Sequence, residues 1–173
     1  MKGLKTRVIK RPANNAIETD NNVPYGTTPT YNDATPNRPE DNTYKYTFAG
    51  WDLEVKNVDG DQVYTAKYTQ VKHQITVTWM VNGEEYTLGD PSTRVSAGEQ
   101  VAKLPTEPTP DEENNIYCGQ VFAGWTDKPI EGEPITDAPA TLFKTSGSSP
   151  TIYKEGDKTT ITFYAVFADY VNE

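Results

Sequence analysis

The tetrapeptide FAGW at residues 48–51 occurs again at residues 122–125, 74 positions later. Two further pairs of segments flank it in the same order: VPYG at 23–26 with VSAG at 95–98, and YTAKY at 64–68 with YAVFA at 164–168. Matches that keep their order along a chain indicate an internal duplication. The sequence therefore predicts two tandem modules, joined near residues 70–74 by a linker too short for independent tumbling.

Alternating side chains predict that both modules are built from strands. In the first module Tyr44, Tyr46 and Phe48 alternate with polar or small residues, and residues 75–79 alternate in the same way in the second. A period of two places one face of a strand toward a core. We expect the core of the two modules to contain Tyr44, Tyr46, Phe48, Trp51, Tyr64 and Tyr68, followed by Val77, Trp79, Phe122, Trp125, Tyr164 and Val166.

The composition favours a β protein. The chain has 24 Thr and 11 Tyr but only 5 Leu, which suits a pleated, half-buried surface better than a helical bundle. No apolar run approaches the roughly 20 residues that cross a bilayer, so we expect no membrane insertion. We predict a mainly β fold, α+β at most, with modules at 23–70 and 75–173, mixed sheets and little helix.

Positive charge is concentrated at the N-terminus. Residues 1–12 hold five basic residues and no acid, whereas the rest of the chain carries −14. We predict that residues 1–22 form a basic arm that binds a partner. The first module has no clear counterpart of the strand at 75–79 that opens the second, and residues 6–10 and 16–20 are also candidates for that strand. Nucleic acid is not expected, because the acidic body would repel phosphates. The basic residues assigned to partner binding are Lys2, Lys5, Arg7, Lys10 and Arg11.

The second module contains an insertion, residues 128–158. Tyr164 follows Trp125 by 39 positions, whereas Tyr64 follows Trp51 by 13. Insertions in repeat proteins often lie on the binding face, and a disordered excursion is the alternative. Within this insertion the residues assigned to partner contact are Thr145, Ser146, Ser148 and Ser149.

Several of these segments together resemble a known repeat. PYGTTP at 24–29, the prolines Pro36 and Pro39, YKYTFAGW at 44–51 and YTAKY at 64–68 are similar to the Listeria–Bacteroides repeat, the family of the B repeat of internalin B. The second copy matches less closely. The resemblance implies a small β-grasp-like module with a mixed sheet and no catalytic residues. It also implies a role in surface proteins as a spacer, an adhesive unit or a partner-binding unit.

Catalysis and calcium binding have less support in the sequence than a structural role. Cys118 and His73 could form a nucleophile and its base, but no third group is suggested and we expect a structural Cys. The acidic turns at 59–61 and 155–157 lack the alternating ligands of a calcium loop, so each is interpreted as a tight turn in which Gly supplies a positive φ. We therefore predict no enzyme activity, no cofactor and no metal.

The indoles Trp51 and Trp125 are candidates for a sugar-stacking platform. A Trp repeated after an inward aromatic strand is more often part of a core, and we expect both indoles to be buried. A carbohydrate-binding module is therefore kept only as a second alternative.

These features predict a non-catalytic structural or binding protein on an exterior surface. The first Met and the lack of an apolar signal core favour a phage virion accessory protein, a capsid decoration or tail-associated protein anchored by the basic arm. Its partner would be the capsid shell or another surface assembly, with a host surface glycan or protein as a further partner. The first alternative is a fragment of a bacterial cell-surface adhesin.

Overall fold

A computed structural model describes residues 16–111, 118–129 and 141–169, and the backbone of residues 5–10. The predicted mainly β class with little helix is confirmed. The described residues form a 3₁₀ turn at Ser146–Ser148 and nine strands: β1 (Lys5–Lys10), β2 (Ala16–Val23), β3 (Tyr44–Trp51), β4 (Gln62–Lys72), β5 (Gln74–Val81), β6 (Glu84–Glu85), β7 (Arg94–Ser96), β8 (Gln120–Thr126) and β9 (Thr160–Asp169).

The chain divides into two compact units, Met1–Val71 and Lys72–Glu173. The sheet of unit 1 has the strand order β2-β1-β4-β3, and the sheet of unit 2 has the order β6-β5-β9-β8, with β7 also paired to β5. In each unit the first strand is antiparallel to the second and parallel to the last. Both sheets are therefore mixed, and the two units share one strand order.

The two units also share the geometry of one turn. Gly26 and Gly98 have nearly the same positive φ, 83° and 82°. Gly26 donates its N–H to the carbonyl of Val58 at 2.8 Å, and Gly98 donates to Ile152 at 2.7 Å. The match between VPYG and VSAG is thus a match of turn geometry, and each turn is tied to a buried aliphatic residue that precedes the last strand.

The N-terminal segment is part of the first sheet. Strand β1 lies between β2 and β4, with Val8 opposite Val63 and Ile9 opposite Tyr64. This is the position that β5 takes in unit 2, so residues 5–10 supply the opening strand that the first module otherwise lacks. Most of the predicted arm over 1–22 therefore lies in β1 and β2, which agrees with the alternative that residues 6–10 and 16–20 supply a strand to the first module.

Unit 2 encloses a continuous aromatic core. Ile75, Val77 and Trp79 on β5 are all buried, as their alternation predicts. The turn after β5 has positive φ at Asn82 and Gly83, the geometry that favours an Asn-Gly hairpin. The core is completed by Val95, Ala97, Val101, Phe122, Trp125, Phe143, Ile152, Phe163 and Phe167.

Strand β9 departs in part from its predicted pattern of burial. Phe163 is fully buried in the core and Phe167 joins the same cluster, whereas Tyr164 is only half-buried. Val166 is buried but lies outside that cluster. The assignment of Tyr164 to the core was wrong, because this side chain is only half-buried, whereas Val166 is buried as expected. The correct correspondence is Tyr-x-Ala-x-Tyr at 64–68 with Phe-x-Ala-x-Phe at 163–167.

Among the described side chains, which begin at residue 16, fewer are buried in unit 1 than in unit 2. Tyr64 is buried as expected, together with Ala66 and Val58, which were not predicted. The other predicted core residues are half-buried: Tyr44, Tyr46, Phe48, Trp51 and Tyr68. The short connection between β3 and β4 contributes the buried Val58, whereas the longer connection in unit 2 contributes Phe143 and Ile152.

Deletion of residues 1–12 tests the role of β1. We expect the deletion to unfold unit 1, because it removes an interior strand and leaves β4 without its parallel partner, while unit 2 keeps its fold. Hydrogen exchange should show lost protection in β4 and unchanged protection in β5. A truncated chain that keeps the full protection of β4 would mean that β1 is dispensable.

The two FAGW glycines form a matched pair for a second test. Gly50 has φ +113° and an added Cβ would meet nothing within 4 Å, whereas at Gly124, with φ +147°, it would lie 2.8 Å from the Phe143 carbonyl oxygen. Gly50→Ala should cost about 1–3 kcal/mol of backbone strain. Gly124→Ala should lower the free energy of unfolding by more, because the added Cβ would also collide with the Phe143 carbonyl oxygen. Equal losses for the two variants in denaturant unfolding would contradict this effect of Phe143.

Candidate functional site

The predicted basic site is not assembled as a free arm. Lys2 and Arg11 lie outside the described residues. Lys5, Arg7 and Lys10 lie on β1, whose backbone pairs with both neighbouring strands. Because β1 belongs to unit 1, its charges count with those of that unit. Residues 1–71 hold nine basic and nine acidic residues, and residues 72–173 hold seven basic and sixteen acidic residues. Unit 1 is formally neutral and unit 2 carries the whole charge of −9.

The predicted Ser/Thr contact site is a turn whose polar groups are largely bonded internally. The Oγ atoms of Thr145 and Ser148 lie 2.8 Å apart, and Ser148 Oγ also accepts the backbone N–H of Thr145. Ser149 is buried and its hydroxyl donates to the carbonyl of Ser146 at 2.7 Å. Ser149 is therefore a structural residue, while Thr145 and Ser148 are exposed and Ser146 is half-buried.

A groove lies on a different part of the insertion. Its walls come from three segments, 127–129 after β8, 150–158 within the insertion and 160–164 at the start of β9, and its volume is about 310 Å³. Tyr153 and Tyr164 both line it, and we refer to it as the Tyr153–Tyr164 groove. Tyr164, which the sequence predicted to lie in the core, lines this site instead.

Hydrogen bonds fix one wall of the groove. The Thr141 hydroxyl donates to Asp127 Oδ1 at 2.6 Å and lies 2.8 Å from the hydroxyl of Thr126, which is fully buried. Thr126 Oγ1 also accepts the backbone N–H of Lys128 at 3.2 Å. These bonds orient Asp127 at the end of β8. Since a carboxylate has about four acceptor positions, Asp127 keeps acceptor capacity toward the groove.

The groove is mixed in polarity and balanced in charge. Hydroxyls come from Thr151, Thr160 and Thr162, and the charged lining residues are two acids and two lysines, Asp127, Glu155, Lys128 and Lys158. No sequence motif marked this site. Two sequence features could have indicated it: the alternation of Thr160, Thr162 and Tyr164 along β9, and the presence of Tyr153 in the insertion.

The two repeated indoles have different environments. Trp125 is 1% exposed, and its ring centroid lies 5.0 Å from that of Trp79 and 5.5 Å from that of Phe122. Trp51 is half-buried against Phe48 and Tyr31. A sugar platform that uses both indoles is therefore wrong, because the ring of Trp125 is enclosed by other aromatic side chains.

The other candidate groups form local structure. Cys118 is exposed. Asp59 pairs with Lys56 at 3.2 Å. Gly156 has the expected positive φ, 55°, whereas Gly60 is not among the glycines with positive φ. Within the described ranges no group of three or more His, Cys, Asp or Glu could hold a metal ion. In the same ranges no helix is long and apolar enough to cross a membrane.

The clearest electrostatic perturbation lies in unit 1. Tyr46 donates its phenolic O–H to Asp41 Oδ2 at 2.6 Å, and Asp41 Oδ1 accepts the backbone N–H groups of Thr43 and Tyr44. The bond from Tyr46 lowers the pKa of Asp41 and, in return, raises the pKa of Tyr46. These bonds close the turn that precedes β3, so Asp41 is a structural group.

Comparisons with known proteins gave no match. No protein-family model, no curated protein and no solved structure matches the chain. The resemblance to the Listeria–Bacteroides repeat accordingly remains a prediction from the sequence.

Replacement of each indole tests the difference in burial between the units. Trp125→Ala should cost about 3–5 kcal/mol, the usual loss for a buried aromatic side chain. Trp51→Ala should cost less, because Trp51 is only half-buried. The free energies of unfolding, followed by hydrogen exchange in each unit, provide the measurement. An equal or larger loss at Trp51 would contradict the burial described here.

Proposed function

We propose that this chain is a non-catalytic structural and partner-binding protein displayed on an exterior surface, with a phage virion as the assembly to test first. The observation that carries the proposal is the duplicated sheet, in which two tandem units repeat one strand order and one glycine turn. Duplication of a scaffold extends a surface and repeats its contacts, which suits a spacer or a display module. The function lies in the surfaces that such a scaffold presents.

The proposed attachment uses unit 1 as a folded body. A free basic arm is not proposed as the anchor, because β1 lies inside the sheet between β2 and β4. Unit 1 is formally neutral and bears half-buried aromatic side chains on β3, including Tyr44, Tyr46 and Phe48. Tyr and Phe are enriched in protein interfaces. These features support a protein shell as the partner of unit 1.

Unit 2 is proposed to face the solvent. It carries the whole net charge of −9 and buries Trp79, Trp125 and four Phe side chains in its core. A strong charge of one sign keeps a protein soluble and limits nonspecific association. The same features also suit an outward module of a bacterial surface adhesin, the alternative that the resemblance to surface repeats supports.

Immunogold labelling separates these assemblies. Antibodies against the purified chain should label the surface of extracellular particles from the producing culture, and particles from a gene-deleted strain provide the control. Label on cell envelopes without particle label would favour the adhesin. Recovery of the chain only from the soluble cell interior would contradict surface display in both forms.

A further inference from the structure

The Tyr153–Tyr164 groove combines apolar ring surface with hydroxyl groups. Tyr153 is 45% exposed, and Tyr164 is half-buried on the outer face of β9. Tyrosine offers a flat apolar ring with a polar end, and the neighbouring Thr160 and Thr162 provide hydroxyls that both donate and accept hydrogen bonds. A ligand that fits this lining needs apolar faces and a high density of hydroxyl groups.

The charges of the groove favour a neutral ligand. Its two carboxylates, Asp127 and Glu155, are matched by Lys128 and Lys158, so the lining is formally neutral. The surrounding unit is strongly acidic, and its field repels phosphates, sulfates and uronic acids before they reach the groove. Asp127 is oriented by Thr141 at 2.6 Å, which leaves it placed to accept bonds from uncharged hydroxyl groups.

The size and position of the groove favour a short segment of a polymer. Its volume of about 310 Å³ lies at the lower end of ligand pockets, about 300–1,000 Å³. All its lining residues belong to unit 2. A groove of this kind contacts a few units of a chain.

From these observations we infer that the Tyr153–Tyr164 groove binds a neutral oligosaccharide. The sugar rings place their apolar C–H faces against Tyr153 and Tyr164, and their hydroxyls bond to Asp127, Glu155 and the threonines of β9. This site is distinct from the indole platform that the sequence suggested, because Trp125 is enclosed in the core. The inference goes beyond the proposed function and holds whether the chain belongs to a virion or to a cell surface.

Affinity electrophoresis of the full chain provides the test. The probes are soluble mixed-linkage β-glucan, arabinoxylan, glucomannan, galactomannan and pullulan, with polygalacturonate and alginate as anionic counterparts. We expect at least one neutral polysaccharide to retard the chain and the anionic ones not to do so. Retardation should change little between about 50 and 500 mM NaCl, because a neutral ligand makes no screened charge contact.

Two exposed tyrosines give a matched pair of variants. Tyr153→Ala should weaken the retardation by about tenfold, equivalent to about 1.4 kcal/mol, whereas Tyr25→Ala, at a site 47% exposed in unit 1, should leave it unchanged. Thr160→Val is a second groove variant at an exposed position and should also weaken binding. Chemical shifts of the variants would establish that each is folded.

Three results would overturn the inference. The first is a folded chain that none of the neutral polysaccharides retards. The second is retardation that Tyr153→Ala does not weaken. The third is a proline-rich peptide, and no sugar, that shifts the resonances of Tyr153, because aromatic-lined grooves also bind such peptides. None of these results depends on where the chain is displayed, so the inference and the proposed function can fail separately.

Discussion

The parallel pairing of the first and last strands is the constraint on which each unit depends. In unit 1, β1 lies beside β4, and in unit 2, β5 lies beside β9, so each pairing joins the two ends of a unit. A parallel pair needs a long connection, and here that connection contains every other strand and loop. The other strands of each sheet are arranged around this pair. Such non-local contacts are slow to form, and in unit 1 the N-terminal strand supplies one side of them.

The insertion converts one copy of the scaffold into a sealed unit. Phe143 pairs its backbone with Trp125 in both directions, at 2.8 and 2.9 Å, and its ring centroid lies 5.0 Å from that of Phe163. The insertion therefore both covers the core and closes part of the outer edge of β8. Unit 1 lacks such a segment, so its equivalent aromatic face stays half-exposed. One duplication has thus produced two surfaces with different chemistry, a neutral aromatic face and a strongly acidic body.

The same insertion forms the wall of the Tyr153–Tyr164 groove. The core face of β9 is committed to packing, while the opposite face, at Thr160, Thr162 and Tyr164, is available for recognition. A single strand therefore links the stability of unit 2 to its proposed ligand. The hydrogen bond from Thr141 to Asp127 and the bonds of Thr126 hold the second wall.

The sequence by itself determined the duplication, the β class and the alternating core of β5, because these features depend on local order and period. The face of β9 could not be predicted, since Phe163–Phe167 is apolar on both sides and its period does not distinguish the buried face. The role of Lys5–Lys10 also required the tertiary structure, because a basic segment of weak strand pattern becomes a central strand only when β4 lies beside it. The groove also required the tertiary structure, since its lining residues lie up to 37 positions apart in the chain and only folding brings them together.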